Sequence, residues 1–285
     1  MLPWRHRRRR GSDRVRELID CHIHTEVCGH ATGTAAQMVS AAVFAGLHGI
    51  VMTEHLPLPE DLDPGRELSP PMCDLISYTE QVRELAERAK GLRVVLGAEA
   101  DWLPGREDYA RAVRAEAASL GVEVVLGSVH MMGDWTFDDP NDLSGWDTTG
   151  PDEAWQRYFS LWCDAARSGA FDVMAHPDLV KKFGHRPSFD CRELYAEAAA
   201  AAAAGGVLIE ASTAGWRKPV AELYPGPELL RAFADAGVGA TVGSDAHAPA
   251  EVGYRIADAY AELAEAGYTH VCLPLGGGNV ERIEL

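Results

Sequence analysis

An α/β barrel of seven strand–helix units is the fold that the sequence predicts. The chain has 285 residues and is 47% hydrophobic, which is enough to bury one large core. Short apolar runs with β propensity alternate with helical stretches rich in Ala, Leu and Arg, a pattern typical of a mostly parallel sheet covered by helices. A histidine or acidic residue stands at or just past the carboxyl end of each of the seven predicted strands, where the active sites of such barrels lie.

The strands and helices are predicted from this alternation. The seven strands are 18–21, 49–52, 93–98, 122–128, 171–175, 207–211 and 238–243, and an eighth is possible at 271–273. The helices between them are 34–45, 74–90, 106–120, 151–168, 191–204, 227–236 and 249–265. Several begin with Thr, Asp or Pro, as helix starts prefer. The alanine run 198–204 indicates a helix interior, since alanine is the best helix former.

One domain is expected, covering 17–285. The basic segment 1–16, with its arginines between Arg5 and Arg10, lacks the 7–15 apolar residues of a secretory signal, so we predict a disordered tail. Two longer connections, 56–73 and 131–150, each follow a strand and are placed to cover a site.

Charge and composition exclude several classes of partner. The net charge of −17 repels phosphate backbones, so we expect no nucleic-acid partner. No stretch reaches the roughly 20 apolar residues of a membrane span, and we expect a soluble protein without a membrane partner. Six cysteines are scattered without a CxxC pair, which favours reduced thiols in the cytoplasm. The oligomeric state stays open.

Candidate metal ligands follow from the strand ends. A His-x-His pair on an extended segment points both imidazoles to one face, and His22 and His24 have that spacing. Imidazoles together with carboxylates suit Zn, Mn or Fe rather than Ca. Glu210 could equally point outward and is left out, while His6, His48, His185 and His270 lie elsewhere and are not assigned to metal. The residues at the strand ends are His22, His24, Glu54, His55, Glu99, His130, His176, Glu210, Asp245 and His247.

Seven segments together resemble the polymerase-and-histidinol-phosphatase (PHP) superfamily, in particular its histidinol-phosphate phosphatase branch. They occur in order along the chain at 20–30, 53–55, 97–99, 127–130, 176–179, 212–218 and 243–247. The resemblance covers nearly all of the chain from 18 to 257. It implies a distorted (β/α)7 barrel with about three divalent ions, Zn, Mn or Fe.

The resemblance also implies a distribution of ligands among the ions. The first ion would be held by His22, His24, Glu99 and Asp245. Glu99 would bridge to a second ion held by His130 and His176. The third would be held by His30, His55 and His247, of which His30 is added by the resemblance alone.

The implied reaction is hydrolysis of L-histidinol phosphate to L-histidinol and phosphate, a step in histidine biosynthesis. Glu99 and Asp245 would be essential to catalysis through the ions. Arg217 is the best candidate to bind the phosphoryl oxygens, because a guanidinium can take two of them at once. Lys218, Lys181, Lys182 and Arg186 are further candidates for substrate binding. Where the branch has Asn-Thr-Ser-Gly-Leu-Arg-Lys, this chain has Ser212-Thr-Ala-Gly-Trp-Arg-Lys218, which retains Arg217 and Lys218.

Other functions remain open at this point. A phosphatase for nucleotides or other small phosphate esters fits the same ligands. An accessory domain of a DNA polymerase is disfavoured by the acidic charge. An amidohydrolase-type C–N hydrolase also begins with His-x-His, but its bridging position usually holds a carboxylated lysine rather than a residue such as Glu99. A structural zinc site normally has four ligands, fewer than the nine found here.

Overall fold

The computed structural model describes residues 16–285, and apart from Arg16 the predicted basic tail lies outside the described residues. Seven strands form one parallel sheet in the order β1-β2-β3-β4-β7-β8-β9. Two short hairpins, β5–β6 and β10–β11, are separate from it. The strands are β1 Ile19–Ile23, β2 Gly49–His55, β3 Arg93–Asp101, β4 Val124–Ser128, β5 Met131–Met132, β6 Trp135–Thr136, β7 Val173–Met174, β8 Leu208–Ser212, β9 Ala240–Gly243, β10 His270–Pro274 and β11 Val280–Glu284.

Residues 16–285 form eight α-helices, most of which pack around the sheet. Thr34 caps the first helix with a capping box that includes Gln37, and Pro151 and Pro227 begin the fifth and seventh, as the sequence predicts. None of the helices in residues 16–285 is long and apolar enough to cross a membrane. The helices are α1 Ala35–Phe44, α2 Met72–Arg88, α3 Glu107–Ser119, α4 Ser144–Thr149, α5 Pro151–Arg167, α6 Arg192–Gly205, α7 Pro227–Asp235 and α8 Ile256–Ala266.

The sheet closes into a barrel at the carboxyl ends of its first and last strands. The amide of His24 donates to the carbonyl of Ala246 at 2.9 Å, and the amide of Ala246 donates to the carbonyl of His22 at 3.2 Å. These bonds form an isolated parallel bridge between Ile23 and Ala246, just past the end of β9. The predicted distorted seven-stranded barrel is therefore confirmed, and the segments that carry His22, His24 and Asp245 are neighbours.

The possible eighth strand is present, but it lies outside the barrel sheet. Residues 271–273 do form part of a strand, β10, but β10 pairs antiparallel with β11 in a separate hairpin. The Leu273 side chain lies against Gly49 at the start of β2, so this hairpin covers the amino-terminal end of the barrel. Among the described strands, β10 forms its ladder with β11 alone.

The predicted helix 249–265 is interrupted. A short 3-10 turn at Pro249–Glu251 is followed by an irregular segment, and α8 begins only at Ile256. The break coincides with a bond from the Gly253 amide to the Asp20 carboxylate at 2.8 Å, and Arg255 has a positive φ of 50°. A tertiary contact has therefore overridden the local helix propensity of this segment.

Candidate metal centre

The barrel register brings the predicted ligands together at its carboxyl-terminal end. β2 and β3 pair so that His55 lies directly beside Glu99. The closure between Ile23 and Ala246 places the His22–His24 pair beside Asp245. His22 and His24 are completely buried, and Glu99 and His176 are almost so.

The first ligand group has the spacing of a shared metal ion. Nε2 of His22 and Nε2 of His24 each lie 3.2 Å from Oε2 of Glu99. The same two nitrogens lie 3.7 and 3.4 Å from Oδ1 of Asp245. Donor atoms bound at about 2.0–2.2 Å to a tetrahedral zinc ion are separated by roughly 3.3–3.6 Å, so His22, His24 and Glu99 have the spacing of ligands to one ion, with Asp245 beside the two histidines.

The second oxygen of Glu99 faces a second group of ligands. Its Oε1 atom lies 3.2 Å from Nε2 of His176 and 3.9 Å from Nε2 of His130, and it also accepts a hydrogen bond from Ser128. Glu99, His130 and His176 form a cluster whose ligand atoms all lie within 4.8 Å of one another. One carboxylate therefore touches both groups, as a bridging ligand must.

A third group lies beside the first. Ligand atoms of His24, His55 and His247 form one cluster, and those of Cys28, His30 and His247 form another. The ring of His30 is 5.2 Å from that of His55 and 5.1 Å from that of His247, between ring centres. The structure thus brings the expected three histidines together and adds Cys28, which the sequence gave no reason to include.

The residues present fit metal ions because several buried ring nitrogens lack another partner. Nε2 of His22, both ring nitrogens of His24 and Nδ1 of His176 accept or donate no hydrogen bond among residues 16–285. Leaving buried polar atoms unpaired costs about 1–3 kcal/mol each. Imidazole nitrogens and carboxylate oxygens arranged this way form a donor set suited to Zn, Mn or Fe.

Carboxylates contact two of these imidazoles at Nδ1, the ring nitrogen on the side away from Glu99. Glu210 Oε1 lies 2.9 Å from Nδ1 of His22, and Asp101 Oδ1 lies 2.9 Å from Nδ1 of His130. Such contacts fix the ring orientation and leave the opposite nitrogen for a metal. Glu210, which is not among the predicted metal ligands, points inward to His22. Asp101 is not predicted at all. It lies two residues past Glu99 on β3, and because side chains two residues apart on a strand share a face, this spacing is the signal that could have indicated it.

The histidines and carboxylates of the site shift one another's pKa strongly. Burial opposes charge on His22 and His24, but neighbouring carboxylates outweigh it and raise the pKa of both well above the usual value. Burial and the charge of His24 lower the pKa of His247 to about 3. Burial opposes charge on Glu99 too, yet His22 and His55 hold its pKa well below normal. A metal ion at these positions would compete with protons for the same nitrogen and oxygen atoms.

Two of the predicted ligands have strained backbones. His176 has a φ of 28° and Asp245 has a φ of 51°, values that residues other than glycine rarely adopt. Each follows the end of a short barrel strand. Such strain costs about 1–3 kcal/mol and persists where surrounding contacts fix it, as at functional sites.

Of the basic residues predicted to bind substrate, Arg217 and Lys218 lie at the end of one 3-10 turn. Arg217 lies beside the first group, where its Nη2 donates to the carbonyl oxygens of Ser244 and Asp245 at 2.9 and 3.0 Å. Its Nε lies 3.4 Å from Glu251, and its buried Nη1 has no partner among residues 16–285. Lys218 follows it at the end of the same 3-10 turn and is half-buried.

The other three cations are paired inside the protein. Lys181 is completely buried, with Nζ 2.8 Å from Asp178 and 3.3 Å from Glu222. Arg186 also pairs with Glu222, and Lys182 binds the carboxylate of Asp138 at 2.9 Å. Carboxylates already compensate these three charges, and a role for them in substrate binding stays a prediction.

Comparison with known proteins agrees with this barrel. The PHP domain family matches residues 20–214, and the chain belongs to that family.

Its relatives include histidinol-phosphatases. A "Probable histidinol-phosphatase" of Deinococcus radiodurans is 43% identical over 255 residues, which cover 88% of this chain and 94% of the relative. A "Probable histidinol-phosphatase" of Schizosaccharomyces pombe is 25% identical, with 92% of each chain covered. The structure of histidinol phosphate phosphatase from Lactococcus lactis, complexed with zinc, L-histidinol and phosphate, shares the fold with a TM-score of 0.77, at 21% identity over 93% of this chain and 99% of that one. The resemblance drawn from the sequence, and the PHP type of the barrel, are confirmed.

Proposed function

We propose that this PHP protein is a histidinol-phosphatase that hydrolyses L-histidinol phosphate to L-histidinol and phosphate. The observation that carries the proposal is the position of Glu99, whose two oxygens face two separate groups of buried ligands. The Deinococcus radiodurans relative supports the substrate, since its similarity extends over nearly the whole of both chains. The six free cysteines fit a reducing compartment, and we propose the cytoplasm.

The metal set that we propose is about three divalent ions, with Zn, Mn and Fe as the candidates. Glu99 would be shared by the first two ions. When bound, such ions supply a nucleophile from water at neutral pH and offset the charge that spreads over the phosphoryl oxygens. The ligands are His22, His24, Glu99 and Asp245 for the first ion, Glu99, His130 and His176 for the second, and His30, His55 and His247 for the third.

Arg217 would orient the phosphate. Two of its nitrogens are held by backbone carbonyls and by Glu251, so the guanidinium is fixed in place before substrate arrives. Its Nη1 is left to donate to a phosphoryl oxygen. Fixing the group in advance lowers the ordering cost on binding and places the phosphorus beside the ions. Lys218 would add a second positive charge at the entrance.

The alternative of a C–N hydrolase receives less support. In that class the residue between the two ions is usually a carboxylated lysine, whereas Glu99 occupies this position here. A glutamate needs no modification to bridge two ions.

A substrate screen tests the proposal. We expect kcat/KM for histidinol phosphate to exceed that for nucleoside monophosphates and p-nitrophenyl phosphate by about a hundredfold or more, because a pocket that binds polar substrate groups rejects analogues without them. The Asp245→Asn variant, assayed in parallel, controls for contaminating phosphatase. Nucleotides hydrolysed as well as histidinol phosphate would instead indicate a phosphatase for other small esters.

A further inference from the structure

We propose that Glu210 is a positioning residue that orients the ligands of two metal positions at once. The inference rests on the proposed metal-dependent function, but it concerns a side chain that is not itself assigned to any ion. Glu210 lies on β8 and is completely buried. Its two oxygens contact two different predicted ligands, His22 on β1 and His176 just past the end of β7.

The first contact fixes the ring of His22. Oε1 of Glu210 lies 2.9 Å from Nδ1 of His22. A carboxylate accepts hydrogen bonds, so it holds a proton on Nδ1, and in the neutral ring Nε2 is then the nitrogen whose lone pair is left for an ion. That Nε2 atom is the one that lies 3.2 Å from Glu99 without a hydrogen bond. Glu210 therefore selects the tautomer that the first ion requires.

The second contact fixes the backbone of His176. Oε2 of Glu210 accepts the backbone amide of His176 at 2.9 Å, while the hydroxyl of Tyr158 donates to the carbonyl of His176 at 3.2 Å. His176 has the unusual φ of 28°. With both peptide groups of this residue bonded, the strained backbone is held, and its ring is directed toward Glu99 and the second ion.

The neighbouring strand leaves room for this carboxylate. Gly243 on β9 has no side chain, and a Cβ built there would lie 2.0 Å from Oε1 of Glu210 and 2.5 Å from Cβ of His22. Any larger residue would displace one of the two. The sequence thus provides three matched features, Glu210, His22 and Gly243, at one point of the barrel.

Glutamine cannot replace Glu210 without loss. Both contacts are made by donors, Nδ1–H of His22 and N–H of His176, so both atoms at the end of residue 210 must accept. A glutamine offers one accepting oxygen and turns its NH₂ group toward the other donor. Glu210→Gln should therefore loosen one of the two ligands, and Glu210→Ala should release both.

The test measures metal binding directly, with zinc as the probe and a chromophoric chelator as competitor. We expect Glu210→Gln to weaken zinc binding roughly 10- to 100-fold, the usual effect of losing such a partner, and Glu210→Ala to weaken it further. Gly243→Ala should produce the same direction of change with Glu210 intact. Asp172→Asn is the matched control, because Asp172 also accepts a backbone amide at 2.8 Å and pairs with Arg114, but at the amino-terminal start of β7. Its zinc affinity should match that of the wild type.

The outcomes separate this inference from the proposed function. Zinc affinity unchanged in folded Glu210→Gln and Glu210→Ala proteins would overturn the positioning role. Weakened zinc binding in the Glu210 variants, together with a wild-type protein that does not hydrolyse histidinol phosphate, would support the positioning role and reject the substrate. Excess zinc should restore part of kcat in Glu210→Gln, and loss of kcat with zinc binding intact would also contradict the inference.

Discussion

Glu99 lies between two ligand groups, and its replacement should disturb both. Glu99→Gln keeps the size of the side chain but removes the negative charge and one accepting oxygen. We expect kcat to fall by several orders of magnitude and the metal content to drop, with the fold largely retained. The measurement is a steady-state assay together with elemental analysis and circular dichroism.

The control for this variant is His48→Gln at the opposite end of the barrel. His48 contacts Glu281 on the β10–β11 hairpin, with Nε2 and Oε1 2.9 Å apart. Its loss should leave turnover nearly unchanged. Equal activity in the Glu99 and His48 variants would show that the site has been placed at the wrong end.

Arg217 gives a second prediction at the scale of one residue. If Nη1 binds a phosphoryl oxygen, Arg217→Ala removes a charge-assisted contact of roughly 1.5–3 kcal/mol, or about ten- to a hundredfold in kcat/KM. Arg217→Lys should recover only part of the loss, because lysine lacks the planar fork. The assay should use both histidinol phosphate and p-nitrophenyl phosphate, since a phosphate contact affects both.

Metal content must be measured in the same Arg217 variants. Arg217 also binds the carbonyl oxygen of Asp245, so a fall in metal content would mean that it supports a ligand as well as the substrate. Arg255→Ala is a suitable control, because Arg255 lies over the ring of Trp216 at 4.0 Å and pairs with Asp258. A loss confined to histidinol phosphate would place Arg217 against the histidinol part of the substrate instead.

At the scale of elements, the strand ends were the part of the site that sequence could locate. Apolar runs stop where a polar residue is needed, and in a parallel barrel all carboxyl ends meet at one end. The structure extends β1 to Ile23, β2 to His55 and β3 to Asp101, beyond each predicted end. The strands therefore continue through the buried polar ligands, because backbone pairing does not depend on side-chain polarity.

The residues that contact the predicted ligands could not be located in the same way. Glu210 bonds to His22, which lies on a strand distant in sequence, and no pattern near Glu210 reveals that partner. The interruption before α8 has the same origin, since it depends on Asp20 more than two hundred residues earlier. The eighth apolar run has ordinary strand character, and only its pairing with β11 shows that it lies outside the barrel.

Asp20 connects the first strand to the segment that carries two ligands. Its carboxylate accepts the amide of Ser244 at 2.7 Å, the hydroxyl of Ser244 at 2.5 Å and the amide of Gly253 at 2.8 Å. Asp20→Asn turns an NH₂ group toward at least one of these donors and leaves it unsatisfied. We expect a loss of about 1–3 kcal/mol in the free energy of unfolding, measured by urea denaturation of metal-free protein.

The same Asp20 variant should bind metal less tightly, because Asp245 and His247 lie on the connected segment. Asp172→Asn again serves as the control and should lose stability without losing metal affinity. Unchanged stability in Asp20→Asn would show that the connection between β1 and the 244–253 segment contributes little.

At the scale of the whole molecule, the negative charge buried at the metal centre needs compensating positive charge. The chain carries −17 formally, and part of its acidic content lies buried at the site, on residues such as Glu99 and Glu210. Histidines compensate these carboxylates only where they are protonated. Divalent ions would neutralise the buried charge without burying further protons, so the folded state should depend on them.

Metal removal should therefore destabilise the entire barrel. An ion present at 1,000 times its Kd stabilises the folded state by about 4.1 kcal/mol, and for a chain of this size each kcal/mol shifts Tm by about 2 °C or more. Chelation should lower Tm by roughly 8 °C or more for each such ion, because the ligands come from β1, β2, β3 and the segments after β4, β7 and β9.

Elemental analysis of unchelated protein should find two to three equivalents of Zn, Mn or Fe per chain, and return of one of these metals should restore Tm and activity together. One equivalent or fewer in fully active protein would contradict the three-ion site, and an unchanged Tm after complete removal would show that the ions serve chemistry without supporting the fold.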